Sequence, residues 1–209
     1  MDLGLYQLKY PVRRLIGGAV PMLRGVHPDI VSWSILPVGV ATAICYLFAD
    51  VHPVLLLVGA VLILVRMFLA TLDGLLAAAW GKSSRRGEIV NRLPPELCDI
   101  LLFLALAQAS DRRAIGLVSL GMCWLTTFSG LVGVTAGAPA QSVGPAGQTD
   151  RLAALIVLSL GGFISLELGH PLNVLYAFLW WVVIGGAFTT LLRLSRTFKA
   201  CRADNRRTE

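Results

Sequence analysis

Apolar runs of about 20 residues, recurring six times between short polar breaks, constrain this chain more than any other feature. They lie at about Ile30–Ala49, Pro53–Trp80, Glu96–Ser110, Ala114–Gly137, Leu152–Leu168 and Leu172–Leu192. In lipid every backbone polar group must find its partner inside its own segment, so runs of this length predict spanning helices. Charged residues make up 14% of the 209, against about a quarter in an ordinary soluble domain. The expected fold is all-α and polytopic. Breaks such as "DVHP" and "ELGHP" are too short to hold a domain, so residues 27–192 read as one six-span bundle. The four cysteines, Cys45, Cys98, Cys123 and Cys201, have no metal or redox spacing and read as small packing residues.

Before that bundle, residues 1–26 mix Leu, Tyr and Val with Lys9, Arg13, Arg14 and Arg24. A signal peptide would instead carry one clean apolar block behind a charged head. An amphipathic helix on the cytoplasmic surface is expected. Residues 193–209 form a basic tail, attracted to anionic lipid. The net charge of +6 follows from this arrangement and implies a membrane rather than a nucleic-acid partner. With six spans, 15 of the 18 Lys and Arg residues fall on one side; Arg112 and Arg113 lie opposite, and Arg66 lies within a span. The positive-inside rule puts both termini in the cytoplasm. The loop "GKSSRRGEIVNR" shares that side, either as a plain basic loop or with Lys82, Arg85 or Arg86 touching a headgroup phosphate. Trp180 and Trp181 fall mid-span and read as packing residues.

Some polar residues fall where a membrane penalises them. Arg66 sits well inside the second run, and a cation at a span's centre costs about 3 kcal/mol unless it finds a partner or cavity. Helical spacing puts Arg66, Ala70, Asp73 and Ala77 on one face, toward the third span. Asp99 is expected at the depth of Asp73, each about seven residues in from the basic loop. The same pattern would arise from a structural charge network or from a binding site.

The stretch Leu72 to Asp99, "LDGLLAAAWGKSSRRGEIVNRLPPELCD", resembles the CDP-alcohol phosphotransferase family, integral membrane enzymes of phospholipid synthesis. Their signature runs D-x2-D-G-x2-A-R-x8-G-x3-D-x3-D. Laid on this chain without a gap, it matches Asp73, Gly74, Ala77 and Gly87. Ala70 stands for the first Asp, Ala78 for the Arg, Asn91 for the third Asp and Pro95 for the fourth. "HPDIVS", His27 to Ser32, is similar to the family's T-P-N-x-I-T entry to span one, with Asp29 for Asn. "GPAGQTDR", Gly144 to Arg151, is similar to the "GPxGKxDR" of a bacterial subgroup, with Gln148 for Lys.

The resemblance implies six spans behind a surface helix, a homodimer, and a bacterial-type inner membrane. In such enzymes the carboxylates hold Mg²⁺ or Mn²⁺ across the diphosphate of a CDP-linked lipid, and the last Asp takes the proton of the attacking alcohol. The substrate-binding set carried over is Asp73, Gly74, Ala77, Gly87 and Asn91, with Arg66 added from its buried charge. Asp73 remains as a vestigial metal ligand and Asn91 as a weak one; no catalytic set is intact. The prolines Pro94 and Pro95 are expected to break the helix, and such a break could swing Glu96 or Asp99 in as a substitute base. Two readings follow. One is a pseudoenzyme that binds lipid, such as CDP-diacylglycerol or another anionic phospholipid, or regulates a partner. The other is a working transferase that releases CMP through altered ligation.

Overall fold

A computed structural model describes residues 17–18, 20–23, 25–81, 84–170 and 173–208, without the side chains of residues 85, 173 and 203–208. The surface helix expected over residues 1–26 lies largely outside the described residues. Its end is described, as a 3₁₀ turn over Val20–Leu23 whose Val20 packs with Val31, Leu72 and Leu76. Six helices follow: α1 (Pro28–Leu47), α2 (Val54–Ala79), α3 (Arg85–Ala109), α4 (Arg113–Leu131), α5 (Gln148–Glu167) and α6 (Asn173–Thr208). A second 3₁₀ turn, Val132–Ala136, prolongs α4.

Local chemistry sets the helix ends that face the basic loop. His27 caps α1 by accepting the Asp29 amide on Nδ1 at 3.2 Å, with Pro28 pre-set for the first turn. Gly81 follows the C-terminus of α2 with φ 61°, a left-handed stop that glycine tolerates. Ser84 Oγ then accepts the Gly87 amide at 2.9 Å and starts α3.

Five of the six helices are long and apolar enough to cross a membrane; α3 is the exception, since Arg92, Glu96 and Asp99 interrupt it. The protein is a polytopic membrane protein. Its exterior carries bare apolar side chains such as Val61, Ile184 and Leu191, at 57–69% exposure, which water would penalise and acyl chains would not. Small residues let the helices touch. A Cβ on Gly39 would overlap Cys98 Sγ, and one on Gly116 would overlap Ala107. The apolar centre gathers Tyr46, Leu56, Ile63, Phe103, Leu155 and Phe178 from five helices. Tyr46 and Ser159 share a hydrogen bond of 2.6 Å across it.

Three expectations need correction. The third run is a 25-residue helix that starts at Arg85, not Glu96, and it stays helical through Pro94 and Pro95. The prolines remove two amide donors without ending the helix, so no break swings Glu96 or Asp99 elsewhere. The last helix does not stop near Leu192 but continues through the basic segment to Thr208. Of the two tryptophans, Trp181 packs on Phe178 while Trp180 is 44% exposed and faces outward.

Candidate active-site cavity

The start of α1, the second half of α2 and the start of α3 converge on a cavity of about 450 Å³. From α1 come Pro28, Asp29 and Ser32, which share a face at helical spacing. From α2 come Asp73, Gly74 and Ala77. Ser84, Gly87, Glu88 and Asn91 complete the wall from the first turns of α3 and its cap. Five of the six residues expected to bind substrate therefore line one space: Asp73, Gly74, Ala77, Gly87 and Asn91. The two glycines keep the walls open, since a Cβ at Gly87 would press on Ser84 Oγ and one at Gly74 would approach Asn91.

Asp73 is buried, and both of its oxygens are engaged. Ser32 donates to Oδ2 at 2.7 Å, and the Gly74 amide donates to Oδ1 at 2.5 Å. The sequence reading placed Ser32 and Asp29 only in the entry motif, and it left Ser32, Asp29, Ser84 and Glu88 out of the site. The signal for the first two was present: Ser32 sits one turn beyond Pro28–Asp29 in the entry motif, so all three had to face the same way.

Arg66 does not line the cavity, and Asp99 does not face Asp73. Arg66 Nη2 instead donates to Asp99 Oδ1 at 2.5 Å and to the Pro95 carbonyl at 2.7 Å. The other Asp99 oxygen receives Gln148 Nε2 at 3.1 Å, Arg151 Nη2 at 3.4 Å and the Cys123 thiol at 3.7 Å. Antiparallel register explains the correction. Because α3 begins at Arg85, Asp99 is fourteen residues into its helix, about 21 Å, and not seven. Seven residues back along α2 matches eight onward along α3, so Asp73 faces the level of Asn91, and Arg66 faces the level of Asp99. Glu96, the other substitute base considered, is half-buried and also absent from the cavity wall. Of the basic loop's phosphate contacts, Lys82 and the Arg85 side chain lie outside the described residues, and Arg86 is exposed.

No family model matches the sequence. The chain is 28% identical over 150 residues to the inner membrane protein YnbA of Escherichia coli (strain K12), covering 70% of this chain and 74% of that one. Its structure matches phosphatidylinositol phosphate synthase (PgsA1) of Mycobacterium tuberculosis with CDP-DAG bound. The TM-score is 0.69 and the identity 18%, over 90% of this chain and 93% of that one. The same synthase in complex with manganese and citrate matches with a TM-score of 0.70 at 18% identity, over 90% and 88% of the two chains. The chain has the fold of a CDP-alcohol phosphotransferase.

The residues present do not fit the metal pair that the signature implies. Ala70 and Pro95 offer no side-chain oxygen, Asn91 offers a neutral one, and Asp73 already accepts from Ser32 and Gly74. Hard divalent cations want several carboxylate or carbonyl oxygens closed on one point. Among the described residues, no group of three or more His, Cys, Asp or Glu side chains gathers closely enough to hold an ion. The manganese belongs to the relative.

Proposed function

We propose that this chain is an inner-membrane pseudoenzyme of phospholipid metabolism, which keeps the transferase scaffold and its cavity to bind lipid and has lost the transfer step. The observation that carries this reading is the fate of Asp99. Transfer needs a base within hydrogen-bond reach of the attacking hydroxyl. Asp99 is the carboxylate one turn beyond Pro95, and it is consumed by two arginines, a glutamine and a thiol away from the cavity. Asp73 is engaged by Ser32 at the cavity floor. The positive-inside count supports six spans with both termini cytoplasmic, which brings α3 across the membrane within the bundle. Residues 27–192 then form the lipid-binding unit. The resemblance of the signature to the family's implies a homodimer.

A second reading has one observation in its favour. Asp29 and Glu88 line the same cavity as Asp73 and could supply carboxylates from the first turns of α1 and α3. In that case the chain would join a CDP-linked lipid to an alcohol through altered ligation. Incubating the purified protein with CDP-diacylglycerol, Mg²⁺ or Mn²⁺ and a panel of acceptor alcohols separates the two. The pseudoenzyme releases no CMP above the protein-free control. Metal-dependent CMP release that disappears in Asp73→Asn would establish the transferase.

A further inference from the structure

Over its described side chains, the last helix has one exposed face, and it changes chemistry along its length. On that face lie Trp180, Ile184, Phe188 and Leu191, then Ser195, Phe198, Lys199 and Arg202, all exposed. At 3.6 residues per turn these eight positions fall within an arc of about 100°. The opposite face stays against the protein. Arg193 donates to the Val143 carbonyl at 2.8 Å and to the Thr126 carbonyl at 2.7 Å, and Thr197 packs on Gly133. The side chains up to Arg202 are thus oriented by the bundle and do not belong to a loose tail.

The helix is 36 residues long, about 54 Å, against a hydrocarbon core of about 30 Å. Its outward stripe is apolar through Leu191 and basic from Lys199, a separation of about 12 Å along the axis. A lipid whose acyl chains lie against Ile184, Phe188 and Leu191 therefore has its headgroup at the height of Ser195 to Arg202. Phe198, 63% exposed between them, is placed at the boundary of chain and headgroup. We propose that this face of α6 is a binding site for an anionic phospholipid, with Lys199 and Arg202 holding the phosphate-bearing headgroup and the apolar stripe below holding its chains. Two oriented cations above a chain-binding stripe distinguish this face from a basic segment that merely sits on the inner side.

Native mass spectrometry of the full chain in detergent, titrated with phosphatidylglycerol or with phosphatidylcholine of the same chains, tests the site. Phosphatidylglycerol should bind in preference. Lys199→Gln and Arg202→Gln should each weaken its binding about fivefold, and the double variant about thirtyfold. Phosphatidylcholine binding and the melting temperature should not move. Arg113→Gln, which removes one charge at the other end of the bundle, should leave phosphatidylglycerol binding intact. Undiminished phosphatidylglycerol binding by the double variant would overturn the site. So would inorganic phosphate displacing the lipid better than chloride at equal ionic strength, since that outcome marks a free-anion site. Loss of dimer with lipid binding retained would overturn it too, as the face would then belong to a second copy.

Discussion

Two levels of the α2–α3 hairpin, about 10 Å apart along the helices, have settled their polar groups in opposite ways. At the level of Asp73 the walls stand apart around a cavity of about 450 Å³, and the groups facing it are small or neutral apart from three carboxylates. At the level of Asp99, two arginines, a glutamine and a thiol converge on one carboxylate. The upper level is where a ligand would sit, and Asn91 stands there in one of the signature's acid positions. At the deeper level the polar groups meet one another, with Arg66 and Arg151 sharing the Asp99 carboxylate. The difference teaches that polar residues inside this membrane protein do not share one purpose. Those at the cavity line a space open to a ligand, whereas those below it tie α2, α3 and α5 together.

If that division is right, substitutions at the deeper level should cost the most stability, and those at the cavity less. The largest effect is expected at Asp99. Asp99→Ala leaves Arg66 and Arg151 buried without their shared counter-charge, a loss of about 3–5 kcal/mol. Thermal melting in detergent should show it as failure to fold or a large fall in melting temperature. Arg66→Leu comes next, at about 2 kcal/mol, because Asp99 keeps Arg151 and Gln148 as partners. Lipid retention by native mass spectrometry should be unchanged in the Arg66 variant. Loss of lipid without loss of stability would return Arg66 to the cavity and break the comparison. Ser32→Ala removes the hydrogen bond to buried Asp73 and should cost about 1.5 kcal/mol in the same melt. The smallest effect is expected at Gly74→Ala. The added methyl meets nothing closer than Asn91 at 4.0 Å, and alanine favours the helix, so stability should hold or rise by about 0.5 kcal/mol.

The helices were legible because a bilayer imposes one rule on every residue: about 20 apolar positions per crossing. That rule located α1, α2, α4 and α5 closely. It misjudged α3 and α6, where the helix outlasts the apolar run: α3 begins with a Ser84 cap twelve residues before the apolar stretch, and α6 runs on through basic residues. The cavity was legible through the signature's spacing, which held without a gap even where its acids had gone. The pairing of Arg66 with Asp99 was not, because depth had been counted from the loop and the start of α3 was placed too late. Ser32, the partner of Asp73 from another helix, lies 41 residues away, and only the packing of α1 against α2 brings it there.

The most direct test of the division is a calorimetric titration of Mn²⁺ into the purified, folded protein in detergent. With Ala70, Asn91 and Pro95 in three of the four acid positions, no saturable binding should appear below about 1 mM. Micromolar binding that vanishes in Asp73→Asn and survives in Arg66→Leu would show the cavity still assembling a metal centre, and would contradict the account.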